Sequence, residues 1–466
     1  MARLYTEVEV RRLIEEATAP LLARIAEFEA QLAKFKKNSS TSSKPPSSDI
    51  VKPPRSAAKS GRPRKRRRGG QPGHPRHLRP PFPSEQIDAA WVYEWSNLSS
   101  DWQPLDEFRV LQQVDLPPKL FEVVEHRARM YRHRTTGKIV SAPFPPEVRR
   151  GGLLGPRLTA LIGFQKGGCR MSYQLIQRFF TDVLGLPIST GELAKVVGKV
   201  GDALEASYRQ LEGALPKQSH LNIDETGHPE CKRKLWTWGF HAPGSAGFTW
   251  FHIDEARSAE VLREFLGETF AGVVGCDYHS AYRKFLRETG VTLQFCWAHL
   301  IRDVKFLETL SDRATQRFGE RLLAKIKALF RVWHRRETMP TAAWQRAAER
   351  ARRDVRRTAL RPPCRSEAQN IAQRFRQHAE QYFTFLNTPG VEPTNNAMER
   401  GFRQQVIDRK VTQGTRGPNG RRWCERIWTT LATCAQQGRS AYQFLELSIA
   451  AHFEGRPQPT LIPMPP

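Results

Sequence analysis

The apolar positions of the chain change rhythm several times, and each rhythm predicts an element. Ile14, Leu21, Phe28 and Phe35 recur at a heptad interval, with Ile25 and Leu32 four residues after two of them. That is the seam of a coiled-coil helix over residues 1–38, in which Pro20 starts or kinks the longer helix. The same stripe serves to pack the helix on its own domain or to join it to a second copy. Over 39–80 Ser, Pro, Lys and Arg replace the apolar residues, no core can be built, and a disordered basic linker is expected. Over 81–150 short apolar runs bounded by prolines, Phe108-Arg109-Val110-Leu111 and Lys119-Leu120-Phe121-Glu122-Val123-Val124, predict a small β-rich module. Over 151–218 the spacing turns helical, at 158–164 and 173–180, and Ser189-Thr190-Gly191-Glu192 opens a third helix with a capping box. The turn Leu184-Gly185-Leu186-Pro187 gives the last two the outline of a helix-turn-helix, either a DNA-binding unit or a plain helical hairpin.

Strand patterns dominate from 219. Leu221-Asn222-Ile223-Asp224-Glu225-Thr226 is an apolar strand that runs into carboxylates. Residues 235–241 alternate, with Trp236, Trp238 and Phe240 on one face, and 248–253 form the hairpin partner. A helix at 258–266 leads to the strand Gly272-Val273-Val274-Gly275-Cys276-Asp277, and a further helix and strand end at Phe295-Cys296-Trp297. Three strands followed by alternating helix and strand is the order of an α/β fold with a ribonuclease H-like mixed sheet. Its first part is placed at 219–305. The basic, strand-free stretch that follows is a helical insertion at 306–390, and the second part of the core, 391–453, opens on a helix that Thr394 can cap and that carries Glu399. A Pro-rich tail occupies 454–466.

Charge narrows the choice of partner. With 74 Lys+Arg against 47 Asp+Glu the formal charge is +27, which favours a polyanion, nucleic acid before an anionic membrane. Much of the excess stands in Arg62-Pro63-Arg64-Lys65-Arg66-Arg67-Arg68, where like charges repel unless phosphates neutralise them, so Arg64, Lys65, Arg66, Arg67 and Arg68 are candidate DNA contacts. No apolar run approaches the roughly 18 residues of a spanning helix, so a soluble, cytoplasmic, nucleoid-associated protein without a membrane partner is expected. The seven cysteines form no Cys-x-x-Cys pair, which argues against a disulfide framework, and no zinc is expected.

Candidate chemistry lies in the carboxylates. Asp224 and Asp277 each end an apolar strand, where an open sheet presents its ligand sites, and Glu399 shares a helix face with Asn395 and Arg403. Three such groups brought together repel without a cation, and oxygen-only ligands select Mg²⁺ or Mn²⁺. Two ions about 4 Å apart can activate a hydroxyl or water and stabilise a leaving oxygen at phosphorus. A single strand-end aspartate is more often a turn or cap residue, and Ile253-Asp254-Glu255 repeats Ile223-Asp224-Glu225, so local pattern leaves Asp224 and Asp254 equivalent. Glu225 alternates away from Asp224 and reads as a salt-bridge partner, while His299 and Asp303 read as a helix-start pair before a metal site.

Taken together, Ile223-Asp224-Glu225-Thr226-Gly227, Gly275-Cys276-Asp277-Tyr278-His279-Ser280-Ala281-Tyr282, Cys296-Trp297-Ala298-His299-Leu300-Ile301-Arg302-Asp303 and Thr394-Asn395-Asn396-Ala397-Met398-Glu399-Arg400 closely resemble the transposases of the bacterial insertion-sequence family numbered sixty-six. Lys36-Lys37-Asn38-Ser39-Ser40, Gly69-Gly70-Gln71-Pro72-Gly73-His74 and Gly438-Arg439-Ser440 extend the likeness over almost the whole chain. The resemblance implies a DDE transposase in which Asp224, Asp277 and Glu399 would bind two Mg²⁺ (or Mn²⁺) ions. Hydrolysis would free a 3′-hydroxyl at a transposon end, and that hydroxyl would attack target DNA. Expected partners are double-stranded DNA at both ends and target, further copies of the chain in a dimer or larger synaptic complex, and small accessory proteins of the element. Arg400, Arg403, Arg409 and Lys410 are candidates for holding DNA beside the site, against the alternative of a solvated helix face. One departure stands out: the family's two Cys-x-x-Cys pairs, near what are here 94–98 and 131–137, are missing, leaving a degenerate zinc-finger-like module at 81–150. The rival readings are a structure-specific nuclease that cuts without joining and a DNA-binding protein without catalysis.

Overall fold

The computed structural model describes residues 6–36 and 80–462, apart from 96, 98, 100, 104 and 118, so the arginine-rich run at 64–68 lies outside the described residues. Helix α1 (Glu7–Lys36) begins with a reciprocal cap, Thr6 Oγ1 accepting from Glu9 N at 3.3 Å and Glu9 Oε2 accepting from Thr6 N at 2.9 Å. Pro20 falls inside this helix instead of starting it. Ile14, Leu21, Ile25 and Phe28 of the heptad seam are exposed.

The described residues between 80 and 127 belong to a unit of their own. Its described part is irregular apart from a 3-10 turn at Ser84–Gln86. The strands expected at 108–111 and 119–124 do not form. Phe108, Val110, Leu111, Val123 and Val124 stay exposed, as do Trp91, Trp95 and Trp102, so no apolar face is buried that could order a ladder. The Gln112 amide instead binds the Phe82 backbone on both sides, accepting from its N at 2.6 Å and donating to its O at 3.0 Å.

From Ala128 onward the chain belongs to the other unit. A small antiparallel hairpin, β1 (Met130–Arg132) with β2 (Ile139–Ser141), precedes the helices α2 (Pro146–Gly151), α3 (Pro156–Gly167), α4 (Tyr173–Asp182), α5 (Thr190–Ala203) and α6 (Glu205–Ala214). Ser189 caps α5 by accepting from Glu192 N at 3.1 Å, the serine half of the expected capping box, while the Glu192 carboxylate lies 3.5 Å from Lys195. The sheet follows: β3 (His220–Glu230), β4 (Arg233–Ala242), β5 (Phe248–Asp254), then α7 (Ala259–Leu266), β6 (Val273–Cys276), α8 (Ser280–Thr289) and β7 (Thr292–Phe295). Its spatial order is β5-β4-β3-β6-β7, with β3, β4 and β5 antiparallel and β6 and β7 parallel to β3. This is the mixed sheet that the alternation predicts.

After α9 (Trp297–Leu307) come the long helices α10 (Arg313–His334), α11 (Thr341–Ala359) and α12 (Ser366–Asn387), and then α13 (Asn396–Thr412), α14 (Pro418–Gln436) and α15 (Ala441–Glu454). Trp297 joins α9 to α12, fully buried against Phe375, Tyr382 and Phe383 and donating Nε1 to Tyr382 O at 2.6 Å. Helix α14 closes the β5 edge of the sheet with side chains. Glu425 Oε1 accepts from Ile253 N at 2.7 Å, Thr429 Oγ1 from Phe251 N at 3.0 Å, and Thr433 Oγ1 from Thr249 N at 3.2 Å. Four helical residues rise about 6 Å and two strand residues about 6.6 Å, so i, i+4 side chains stay in step with every outward N–H of the strand. The edge is thereby closed to pairing with another strand.

Candidate active site

Asp224 does not end its strand as the apolar pattern suggests: β3 runs on to Glu230 because its outer half stays paired with β4, and Asp224 lies inside it, opposite Gly239. On its other side β3 pairs with β6 in the register Leu221↔Val274 and Asn222↔Gly275. Two further residues along both chains bring Asp224 beside Asp277, just past the end of β6. There Asp277 Oδ1 accepts from His279 N at 2.8 Å, turning the chain into α8. Glu225 points to the opposite face, as alternation requires. Its buried carboxylate is held by Arg257 at 2.7 Å and by the Tyr282 hydroxyl, which donates at 2.6 Å.

The third carboxylate arrives through a fastening that sequence pattern does not show. Asn395 holds the N-terminal end of α13, its side chain donating to Ile223 O at 2.8 Å, one residue before Asp224, and its backbone N to Cys296 Sγ at 3.2 Å. Trp297 N adds a bond to Pro393 O at 3.0 Å. The expected Thr394 cap is not made: Asn395 occupies the cap position, and its amide is used on the strand instead of on the helix's own N–H groups. Gly239 lets the helix come this close, since a Cβ there would lie 2.5 Å from Met398 Cε and 2.8 Å from Phe402 Cζ. Glu399, next to Met398, faces α9, with Arg302 Nη2 at 3.0 Å from Oε2 and His299 Nε2 at 3.6 Å from Oε1.

Charge shows how closely these groups are linked. Burial, followed by the charges of Glu225, Asp277 and Glu399, holds the Asp224 carboxyl well above the usual carboxylate range. Burial, and then Glu225, pushes Asp277 up to about 7. Both aspartates thus sit in a field short of positive charge. Among the described residues, the three side chains whose potential ligand atoms all lie within 4.8 Å of one another are Cys296, His299 and Glu399. Glu399 therefore acts on Asp224 through its charge, while its ligand atoms lie with Cys296 and His299; among the described residues the three carboxylates are not gathered into one set of ligand atoms. Sequence reading did not assign Cys296, Arg302 or Asn395; the Cys296-x-x-His299 spacing was the available signal for the first.

Asp254 separates cleanly from Asp224. It ends β5, two strands from β3, where its carboxylate accepts from Ala256 N at 2.6 Å and lies 3.5 Å from His252 Nε2. His252 also meets Glu425 at 3.1 Å. Burial opposes its charge, but the bonds to Asp254 and Glu425 prevail and raise its pKa from 6.5 to about 9. The folded chain therefore binds a proton at His252 that the unfolded chain releases above pH 6.5. This stabilisation is full below pH 6.5 and lost as pH rises through about 9, and it amounts to about 3 kcal/mol. Urea titrations of the wild type should show that decline, and His252→Gln should flatten it.

Of the remaining candidates, Asp303 pairs with Arg374 at 2.9 Å. Arg400, Arg403 and Lys410 are exposed on α13, free to meet an anion. Arg409 is half-buried and bound to the β3 backbone at Gly227 O and to Thr226 Oγ1 at 2.9 Å, so it braces the strand that carries Asp224.

These features fall within a class of nucleic-acid-processing enzymes. Residues 151–422, which include the whole sheet and α13, match the Transposase IS66 family. The chain belongs to that family, and transposition is the process its membership assigns. Residues 3–80 match a family of unknown function, DUF6444. Two similar proteins come from Sinorhizobium fredii (strain NBRC 101917 / NGR234). Uncharacterized protein y4qI is 24% identical over 378 residues, covering 74% of this chain and 68% of its own. Uncharacterized protein y4hP is 23% identical over 365 residues, covering 70% of this chain and 64% of its own. The chain thus spans about two thirds of each relative. Among the described residues no helix is long and apolar enough to cross a membrane.

Proposed function

We propose that this chain is a DDE-type DNA transposase with a ribonuclease H-like core, in which Asp224, Asp277 and Glu399 hold divalent metal for phosphodiester hydrolysis and 3′-hydroxyl strand transfer. The observation that carries this reading is the placement of Asp224 and Asp277 at adjoining positions of parallel strands, both with raised pKa. The strand order β5-β4-β3-β6-β7, with α13 laid over β3 and β4, supports the core assignment. The donor set fits Mg²⁺ or Mn²⁺: Asp224, Asp277 and Glu399 offer oxygen ligands only, and the two aspartates are buried with raised pKa. Such ions, when bound, supply activation of the attacking oxygen and stabilisation of the leaving one.

The chain's own residues do the positioning. Asn395 and Gly239 set the height of α13 over the sheet, Arg409 steadies β3 beyond Asp224, and Arg257 and Tyr282 keep Glu225 occupied on the far face. Exposed Arg400, Arg403 and Lys410 would lie along the DNA backbone. Double-stranded ends and target, a dimer or larger synaptic complex, and accessory proteins are the partners this reading calls for. Binding dominated by phosphate contacts would weaken steeply with salt.

The test is a pre-cleaved transposon end with a free 3′-hydroxyl, incubated with purified chain, Mg²⁺ and target plasmid. Joined products are expected. Hydrolysis without joining would leave a nuclease on the same core.

A further inference from the structure

Among the described residues, the potential metal ligands that gather within 4.8 Å of one another are not the three carboxylates but a mixed set. Cys296 is the cap residue of α9, and its buried sulfur receives the Asn395 N–H at 3.2 Å, with the Ala298 and His299 N–H groups of the first turn also directed at it. Burial nonetheless raises the Cys296 thiol to about 11 against these backbone donors, so without a cation the group stays protonated, and a bound ion is what would hold the thiolate. His299, one turn on, has Nε2 at 3.6 Å from Glu399 Oε1, while its Nδ1 is buried with no partner. Arg302 Nη2 lies nearer the other carboxylate oxygen, 3.0 Å from Oε2 against 3.5 Å from Oε1, and Oε1 is the oxygen that meets the histidine. Tetrahedral zinc with ligand bonds of about 2.0–2.3 Å sets its ligand atoms roughly 3.3–3.7 Å apart. One pair already meets that spacing, and the rest lie within 4.8 Å.

We propose that Cys296, His299 and Glu399 form a second cation site, selective for a thiophilic divalent ion such as Zn²⁺, and that its occupation withdraws Glu399 from the carboxylate set. The binding half stands on the cluster alone; the withdrawal half rests on the reading of Glu399 as a ligand of the catalytic ions. As the S–Zn bond forms, the thiol proton leaves to solvent, and a water completes the fourth position. Sulfur and imidazole favour zinc over magnesium, so the two sites would compete for one glutamate with different metals. The site joins a Cys-x-x-His turn to a glutamate a hundred residues beyond the histidine, which is why the absence of Cys-x-x-Cys pairs says nothing about it.

Co²⁺ titration of the full-length chain reads the site through thiolate-to-metal charge-transfer absorbance. That band is expected in the wild type and in Cys169→Ser, displaced by Zn²⁺, and lost in Cys296→Ser. Should Cys296→Ser fail to fold, His299→Gln and Glu399→Gln must each weaken Co²⁺ binding at least about tenfold. No band in the wild type, an unchanged band in Cys296→Ser, or unchanged affinity in either of the other variants overturns the site. Zinc should also inhibit Mg²⁺-dependent cleavage, and Cys296→Ser, measured against its own uninhibited rate, should raise the inhibitory concentration at least about tenfold. Binding without inhibition overturns the withdrawal. If instead Asp224→Asn still cleaves, the active-site reading fails while the cobalt result stands.

Discussion

On the proposed reading, Asp224→Asn should reduce Mg²⁺-dependent cleavage at transposon ends on the order of a thousandfold or more, because losing one of the carboxylates that would hold the ions removes several kcal/mol of charge stabilisation in the transition state. The amide has the carboxylate's shape, and its oxygen can still accept from Glu225 N, so the strand need not move. Stability should not fall. In the wild type the Asp224 charge is opposed by Glu225, Asp277 and Glu399 at close range, and the neutral amide relieves that repulsion. Without metal the variant should therefore melt at or above the wild-type temperature, and it should bind end DNA with nearly wild-type affinity. Lost cleavage in a protein that is folded and bound to DNA assigns the carboxylate to chemistry. Asp254→Asn is the paired control. It removes a partner of protonated His252, so it should lower stability yet leave the cleavage rate within a few-fold. Cleavage that survives in the first variant and vanishes in the second would exchange the two aspartates and sink the site assignment.

The exchange is worth testing because the two Ile-Asp-Glu segments look alike in sequence. Ile223-Asp224-Glu225 and Ile253-Asp254-Glu255 have the same local pattern, and what separates them is position in the sheet, centre against edge. Alternation could show the strands of the hairpin and the side on which Glu225 lies, because a period of two reports burial directly. It could not show that α14 would cover the β5 edge with Glu425, Thr429 and Thr433, since on the helix those residues look merely polar. Nor could it show the use of Asn395. A helix-start pattern announces a cap, and here the amide is recruited by a backbone oxygen some 172 positions away. The exposed apolar runs at 108–111 and 119–124 fail for the opposite reason: strand propensity was present, but no buried face accompanied it. Local pattern reports period and propensity. The contacts that build the candidate site join distant segments, and only the fold brings these together.

The field that those contacts create has a measurable consequence of its own. Asp277, raised to about 7 by burial and by Glu225, has an ordinary pKa near 4 when unfolded, and Asp224 is shifted in the same direction. Between those values the folded chain holds protons that the unfolded chain has released. By linkage, stability of the metal-free protein must then fall as pH rises from about 4 to about 7, by a few kcal/mol for the coupled pair. A bound cation reverses the sign of this effect. It favours the ionised carboxylates, and at low pH it must displace protons to bind, so its stabilisation grows with pH. Melting curves in chelator and in saturating Mg²⁺ should therefore diverge, close together at pH 5 and far apart at pH 8. Asp277→Asn should flatten the chelator curve over this range and remove most of the magnesium shift. The His252 contribution falls mainly above pH 6.5 and should persist in that variant, which keeps the two titrations apart. A chelated protein whose melting temperature is level between pH 5 and 7, or a magnesium shift equal at both ends, would mean that the paired aspartates do not form the cation site.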